Sequence, residues 1–333
     1  MNLIIPMAGV GKRMRPHTLT VPKPLVPVAG KPIVHWLIED IATVCGEDIE
    51  EIGFIIGDID DEAIANLLKI AEGIGAKGKI FRQEEALGTA HAIMCAEDCL
   101  KGDVIVAFAD TLFKAEFDLD KTADGVVWVH KVEDPSAFGV VKLNEEGHIS
   151  EFIEKPKEFI TDLAIIGIYY FKDGENLRNE LAYLLDNNIK DGGEFQLTNA
   201  LENMRAKGKL FATGEVKEWW DCGNKNATVY TNQRVLQTKA NQFKINQSKY
   251  SNATTIVEPC YIGKNVDIKG STVGPNVSIG DNSVILNSTI ENSIIQNETT
   301  IKNINFKNSM VGNFVTLDGN AQEFSFGDYS TQE

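Results

Sequence analysis

"NLIIPMAGVGKRMRPHTLTVPKPL", residues 2–25, decides the fold class. Its opening, "NLIIPMAG", is an apolar run ending in glycine and reads as a buried strand. The remainder sets Gly9 and Gly11 among Lys12, Arg13, Arg15 and Lys23, on a backbone stiffened by Pro16, Pro22 and Pro24. A strand that ends in a glycine turn offers backbone N–H groups, and cations beside them are suited to phosphate. The first carboxylate of the chain is Glu39, preceded by five Lys or Arg side chains. In a chain of 333 residues with a formal net charge of −16, this is a sharp local departure. The overall field disfavours nucleic acid and anionic membranes as principal partners, so the cluster points to a small, highly charged anion.

Outward from that stretch the pattern alternates. "PIVHWLIEDIATVC" reads as an amphipathic helix, "IEEIGFIIG" as a strand, "DEAIANLLKIAEGIG" as a helix and "GKIFRQ" as a strand. "LGTAHAIMCAEDCL" is a helix and "GDVIVAFAD" a strand, so crossover units and a mainly parallel sheet are expected. After Asp110 come "GVVWVHKV", the hairpin "FGVVKLNEEGHISEFIEKP" and "LAIIGIYYF", which look antiparallel. Two helices and a returning strand, "KLFATGEVKEWWDCG", complete a mixed α/β sheet carrying an inserted substrate-facing lobe. Residues 1–230 are thus expected to form one domain and 231–250 a polar helical linker.

Beyond the linker, Ile256, Ile262, Ile268, Val273, Ile279, Ile285, Ile290, Ile295, Ile301, Phe306, Val311 and Leu317 recur every five or six residues among Asn, Ser, Thr and Gly. This period is neither helical nor a plain alternation. It predicts a parallel β-helix over 251–333, with three hexapeptide repeats per coil and about four coils. An ordinary β-sandwich would need period-two alternation, which is missing here.

Two familiar phosphate motifs fail on detail. Met14 stands where a GxGxxG fingerprint needs its third glycine, and Arg13 follows Lys12 where a P-loop needs Ser or Thr. "GVGKRMRPHTLTVPKPLVPVAGKPI", residues 9–33, instead resembles the sugar-1-phosphate nucleotidylyltransferase pattern GxGxRxxPxTxxxPKPLxPxxxKPI, in register throughout. Later motifs come in that family's order across about residues 1–230. The resemblance implies a Rossmann-like, mixed and mainly parallel catalytic sheet followed by a left-handed β-helix. It also implies joining of a nucleoside triphosphate to a sugar 1-phosphate, with release of pyrophosphate.

The same resemblance implies roles residue by residue. Arg13 would stabilise the triphosphate side and Lys23 the α-phosphate region, with Ala8, Gly9, Gly11 and Lys12 forming the nucleotide turn. Lys12 and Arg15 lie outside the fixed positions of the pattern and are expected to add only field. Gln83 in "RQEEALGTAHAI" would read the base, with Gly88 and Thr89 allowing close backbone approach. Asp110 in "AFADTLF" and Asp221 in "EWWDCG" would hold Mg²⁺, two carboxylates completed by phosphate oxygens and waters. Ala109 replaces the usual glycine before the first of these. Gly139, Glu154, Lys155, Gly167, Tyr169 and Glu194, with Thr198 nearby, would take the sugar phosphate. Thymidylyltransferases often carry an arginine before the Gly-Glu pair, where this chain has Gly192.

The chemistry fits such residues. A sugar phosphate oxygen is already anionic at neutral pH, so in-line attack on the α-phosphorus needs cations and Mg²⁺ more than a base. Thymidylyl transfer from dTTP to glucose 1-phosphate is the leading expectation. Uridylyl transfer to glucose or N-acetylglucosamine 1-phosphate and guanylyl transfer to mannose 1-phosphate are the alternatives. A regulatory homologue that only binds nucleotide sugars would not need Arg13, Lys23, Asp110, Lys155 and Asp221 together. An acetyltransferase β-helix generally uses a histidine base, and no histidine follows His148. The β-helix is therefore expected to serve homo-oligomerisation or regulation. No CxxC or metal spacing joins the five cysteines, and no apolar run approaches a membrane span, so a cytoplasmic setting is expected.

Overall fold

The computed structural model describes every residue except 116–118, 120, 252, 322–328, 332 and 333. It divides into two compact units, Met1–Val10 with Leu37–Trp219, and Gly11–Trp36 with Trp220–Glu333. The cationic loop thus packs with the C-terminal part of the chain, although strand and helix order place it near the start.

The first unit is built on a nine-stranded sheet: β1 (Asn2–Pro6), β2 (Glu51–Ile56), β3 (Lys77–Arg82), β4 (Val104–Ala107), β5 (Gly125–Lys131), β6 (Gly139–Leu143), β7 (Ile149–Glu154), β8 (Leu163–Phe171) and β9 (Phe211–Glu215). The order is β7–β6–β8–β4–β1–β2–β3, with β5 pairing both β8 and β9. Strands β4, β1, β2 and β3 are mutually parallel. β1 is buried along its whole length, as its continuous apolar run requires when both faces are covered. β7 is antiparallel to β6, and β8 is antiparallel to β4, β5 and β6. Its second half pairs with β4, and its first half reaches β6 through Ala164 and Val140. Its register against β5 shifts between Ile165 and Tyr169, and Gly167 lies in that bulge at φ +86°.

Five helices lie along this part of the chain: α1 (Ile33–Cys45), α2 (Asp61–Gly73), α3 (Thr89–Met94), α4 (Gly174–Asp186) and α5 (Leu197–Ala206). Asp60 and Asp173 cap α2 and α4 by accepting from the N–H groups of Ala63 and Asn176. The expected single strand over 209–223 is two, β9 and Glu218–Asp221. Phe211, Phe171, Leu181 and Val127 are among the residues of a core joining the sheet to α4 and α5.

The second unit contains the loop, helix α6 (Lys225–Thr238) and the β-helix. The linker helix therefore begins six residues before the expected boundary at 231, because Asn224 caps it by accepting from the Ala227 N–H at 3.0 Å. Beyond it, three four-stranded parallel sheets stack coil on coil. The periodic aliphatic residues form three columns: Ile256–Val273–Ile290–Phe306, Ile262–Ile279–Ile295–Val311 and Ile268–Ile285–Ile301–Leu317. Among the described residues these columns make four coils of three short strands each. Corners are turned by residues in left-handed backbone, chiefly asparagine, at Asn265, Asn282, Asn287, Asn292, Asn303 and Asn308. Their side chains form ladders, such as Asn287 Nδ2 donating to Asn303 Oδ1 at 3.3 Å and Asn292 Nδ2 to Asn308 Oδ1 at 2.7 Å. Burying one isoleucine of a column is worth about 1.5–3 kcal/mol, which offsets the exposed backbone of such short strands. No described helix is long and apolar enough to cross a membrane.

Candidate functional site

In the first unit, the candidate residues gather at the carboxyl ends of the parallel strands, where an open α/β sheet presents its ligands. Ala8 lies just beyond β1, Gln83 beyond β3 and Asp110 beyond β4. Gly57, after β2, lets the Ala8 carbonyl approach, since a Cβ there would lie 3.1 Å from that oxygen. The Gln83 N–H donates to the Ile56 carbonyl at 2.9 Å, which anchors the residue at the sheet edge.

The Gln83 side chain has a defined orientation. Nε2 lies 3.2 Å from the Gly88 carbonyl, which can only accept, so the amide nitrogen faces inward. It also meets His91 Nδ1 at 3.1 Å, which makes that ring nitrogen the acceptor. Oε1 is then the acceptor of the side chain, suited to an N–H donor. No motif in the sequence marks His91; its position two residues into α3 is the only signal.

Gly88 is needed for packing. At φ +117°, a Cβ there would lie 2.5 Å from the Phe195 carbonyl oxygen. Thr89 Oγ1 donates to Gln196 Oε1 at 3.2 Å and accepts from the Leu197 N–H at 2.9 Å. Gln196 Nε2 in turn donates to Glu194 Oε2 at 3.1 Å. The Gly88–Thr89 turn and the exposed Glu194 turn are thereby one hydrogen-bonded assembly. Gln196 joins its two halves, and no periodicity in the sequence marks it. Glu194 itself closes a turn with Asp191 through Gly192 at φ +58° and Gly193 at φ +89°.

The residues expected on the sugar side also meet. Glu154 Oε2 accepts from Thr198 Oγ1 at 2.7 Å, and Oε1 lies 3.4 Å from Lys155 Nζ. Gly139 admits that carboxylate, since a Cβ there would stand 3.2 Å from Oε2. Thr198 is buried, so its task is to orient Glu154, whereas the Lys155 side chain is 59% exposed. Lys155 holds left-handed backbone at φ +40°, a strained state for a residue with a Cβ, fixed by its N–H donating to the Phe138 carbonyl at 3.1 Å. Trp219 stands edge-on to the Phe138 ring at 5.0 Å and backs the same segment; the motif "EWWDCG" contains it without hinting at that role. Tyr169 is buried between Phe108 and Phe171, and burial, then the Glu154 charge, raises its hydroxyl pKa. The Gly167 carbonyl accepts from the Phe108 N–H at 2.9 Å, and Thr111 Oγ1 donates to the Ile166 carbonyl at 2.8 Å. These bonds clamp the turn that carries Asp110 to the β8 bulge.

The second unit holds the other group. Gly11 is left-handed at φ +58°, and a Cβ there would lie 3.0 Å from Lys23 Cβ and 3.2 Å from Thr18 Cγ2. Thr18 Oγ1 closes the loop by donating to the Gly11 carbonyl at 2.9 Å. Lys23 is buried on a short 3-10 helix, Lys23–Leu25, whereas Lys12 and Arg13 are exposed. His17, also in the loop, has its pKa lowered by burial and then by the charge of Lys225. Arg15, expected to add only field, is covered instead: NH1 donates to Tyr329 Oη at 3.0 Å and the guanidinium lies 5.0 Å from that ring. Asp221 and Arg13 converge on Gly223, where a Cβ would stand 2.8 Å from Asp221 Oδ2 and 3.2 Å from Arg13 NH2. This is a carboxylate beside a guanidinium in a cradle that only glycine leaves open.

Asp110 in the first unit and Asp221 in the second each carry carboxylate oxygens, donors of the hard kind that Mg²⁺ takes. No group of three or more His, Cys, Asp or Glu able to hold a metal occurs among the described residues.

Residues 3–238 match the nucleotidyl transferase family. The whole chain is 29% identical to a glucose-1-phosphate thymidylyltransferase of Streptomyces antibioticus, over 99% of that protein. It is 32% identical to the low-salt glycan biosynthesis nucleotidyltransferase Agl11 of Haloferax volcanii, over 72% of this chain and 67% of that one. It is also 34% identical to the bifunctional protein GlmU of Methanococcus maripaludis, spanning about half of that longer protein. Among solved structures, a UDP-glucose pyrophosphorylase complexed with UDP-glucose shares the fold, with TM-score 0.58 at 21% identity over 71% of this chain and 98% of that one.

Proposed function

The chain belongs to the nucleotidyl transferase family and is a sugar-1-phosphate nucleotidyltransferase, and from that premise we propose that it transfers thymidylate from dTTP to glucose 1-phosphate. The observation that carries the base assignment is the orientation of Gln83. Its nitrogen is committed inward, and Oε1 fits the N3–H that thymine and uracil share; the full-length likeness to a glucose-1-phosphate thymidylyltransferase favours thymine. Cytosine, which has no N–H at that position, is disfavoured.

In this reading residues 1–230 carry the catalytic chemistry, 231–250 link, and 251–333 support a cytoplasmic homo-oligomer. Arg13 and Lys23 neutralise the triphosphate, while Ala8, Gly9, Gly11 and Lys12 offer it backbone N–H groups and charge. Glu154, held by Thr198, accepts sugar hydroxyls, with Gly139, Gly167, Tyr169 and Glu194 shaping that side. Lys155 pairs with the sugar phosphate, and its strained backbone presents the ammonium at fixed orientation. Because the attacking oxygen is already ionised, these cations do the main work of bringing two anions together and spreading charge as pyrophosphate leaves. Asp110 and Asp221 would hold Mg²⁺, which supplies further neutralisation of the phosphates when bound.

Uridylyl transfer is the second reading, favoured by the turn at Gly192. Its φ of +58° suits glycine and would strain the arginine often found there in thymidylyltransferases. The test is pyrophosphate release in Mg²⁺, crossing dTTP, UTP, GTP, ATP and CTP against glucose, N-acetylglucosamine and mannose 1-phosphates. A dTTP and glucose 1-phosphate maximum is expected. A UTP maximum transfers the assignment to the second reading, and no release from any pair sinks both. Light scattering of the full chain should give a multiple of 36.7 kDa; a single subunit mass would remove the oligomer.

A further inference from the structure

Gly11–Trp36, which carries every cation of the opening stretch, shares one compact unit with α6 and the β-helix. A short hairpin transmits position within it. Val26 N–H donates to the Lys23 carbonyl at 3.1 Å and Ile33 N–H to the Val26 carbonyl at 3.1 Å. Between them Pro27 pairs with Pro32 and Val28 with Lys31, so the turn at Ala29 and Gly30 sits rigidly on the segment that begins at Lys23.

That turn is bolted to the β-helix. Ala29 is left-handed at φ +46°, costly for a residue with a Cβ, and its N–H donates to Asn232 Oδ1 at 2.9 Å. The same oxygen accepts from Ser278 Oγ at 2.6 Å, while Asn232 Nδ2 donates to the Asn276 carbonyl at 3.3 Å. Asn232 belongs to α6 and is fully buried. Val277 and Ile279 belong to the core of the coil, so by strand alternation the Ser278 hydroxyl leaves its outer wall. At Gly30 a Cβ would lie 2.3 Å from the Tyr261 ring, which therefore rests directly on the turn. Tyr261 meets Phe243 edge-on at 6.3 Å, and Phe243 meets Trp36 at 6.3 Å. Lys31 Nζ lies 4.3 Å from the centre of the Trp36 ring.

We propose that Asn232, seconded by Tyr261, is a positioning residue for triphosphate binding: it sets the turn 29–30, and through the hairpin Lys23, in the register of the β-helix. The proposal rests on the nucleotidyl-transfer reading above. A buried polar side chain bonded through both its amide oxygen and its nitrogen fixes register where apolar contact alone allows sliding. The β-helix then acts in catalysis without supplying a group to the substrate.

Asn232→Ala should raise the apparent KM for the triphosphate roughly tenfold and lower kcat severalfold, while the KM for sugar 1-phosphate stays within about twofold. Hydrogen exchange over residues 11–36 should quicken, with strands β1 and β4 unchanged. Ser278→Ala should move the same quantities less, and Ser278→Thr, which keeps the hydroxyl, should restore them; this pair carries the test if Asn232→Ala does not fold. Asn287→Ala removes a ladder contact at an exposed corner of the β-helix and should leave the triphosphate KM unchanged. The proposal is overturned, with the reaction intact, if loop exchange and triphosphate KM are unmoved in the folded variants, or if Asn287→Ala raises that KM equally. A wild-type protein that neither binds dTTP, UTP or GTP nor releases pyrophosphate overturns the functional reading, and this proposal with it.

Discussion

The β-helix and the nine-stranded sheet both rest on parallel strands, yet they use their polar residues in opposite ways. In the β-helix, asparagines and serines bond to their equivalents one coil away, as in Asn292 to Asn308 or the Ser309 N–H to Ser293 Oγ at 3.1 Å. These ladder groups are structural, each rung depending only on its neighbours, while Asn276 and Ser278 bond to α6 instead. At the carboxyl ends of the sheet, polar groups come from distant segments and hold one another at a surface, as Thr198 holds Glu154 and Gln196 holds Thr89. A ladder stabilises by repetition. A site is prepared by unlike partners, each leaving some atom outward.

Substitution should expose that difference, most strongly at the carboxylates. Asp110→Asn and Asp221→Asn are each expected to lower kcat on the order of 10²–10³-fold with an unchanged denaturation midpoint. Near-normal turnover in Mg²⁺ would strike the mutated carboxylate from the site. Next comes the ladder region itself. Ile285→Ala, in the middle of its column and fully buried, should cost about 2–5 kcal/mol in urea unfolding. Its effect on hydrogen exchange should stay within the adjacent coils, whereas Ile55→Ala in β2 should loosen the whole sheet. Equal spread in both would erase the contrast. Lys155→Ala should raise the KM for sugar 1-phosphate about tenfold and the KM for nucleotide far less. The reverse split would move this lysine to the triphosphate.

The smallest effect is a pH dependence. Burial, then Lys225, holds the pKa of His17 below its ordinary 6.5, so the unfolded chain binds that proton at higher pH than the native one. Its contribution to stability is present above pH 6.5 and is lost as pH falls from there toward the folded value. His17→Gln should flatten this part of the stability profile. A slope identical to wild type between roughly pH 6.5 and 5 would clear His17 of the effect.

Much of the sheet was legible because its strands and helices carry local periods. "LAIIGIYYF" is β8 residue for residue, and α2 begins at the Asp61 expected of it. Less legible was the bulge at Gly167, where one glycine within an apolar strand gives no hint of which partner strand it releases. The linker helix was misplaced by six residues because its polar face hides the Asn224 cap.

The sequence by itself determined the β-helix, the mainly parallel sheet and the cationic loop, since each is written in spacings of two to six residues that neighbouring side chains must obey. Only the tertiary structure decided that Gly88 serves Phe195, that Arg15 lies against Tyr329, and that the turn at Ala29 hangs on Asn232 and Ser278. Those partners lie far apart along the chain, and a hydrogen bond between them leaves no period to read. It is selected by which buried donors and acceptors still lack a partner once the chain has folded.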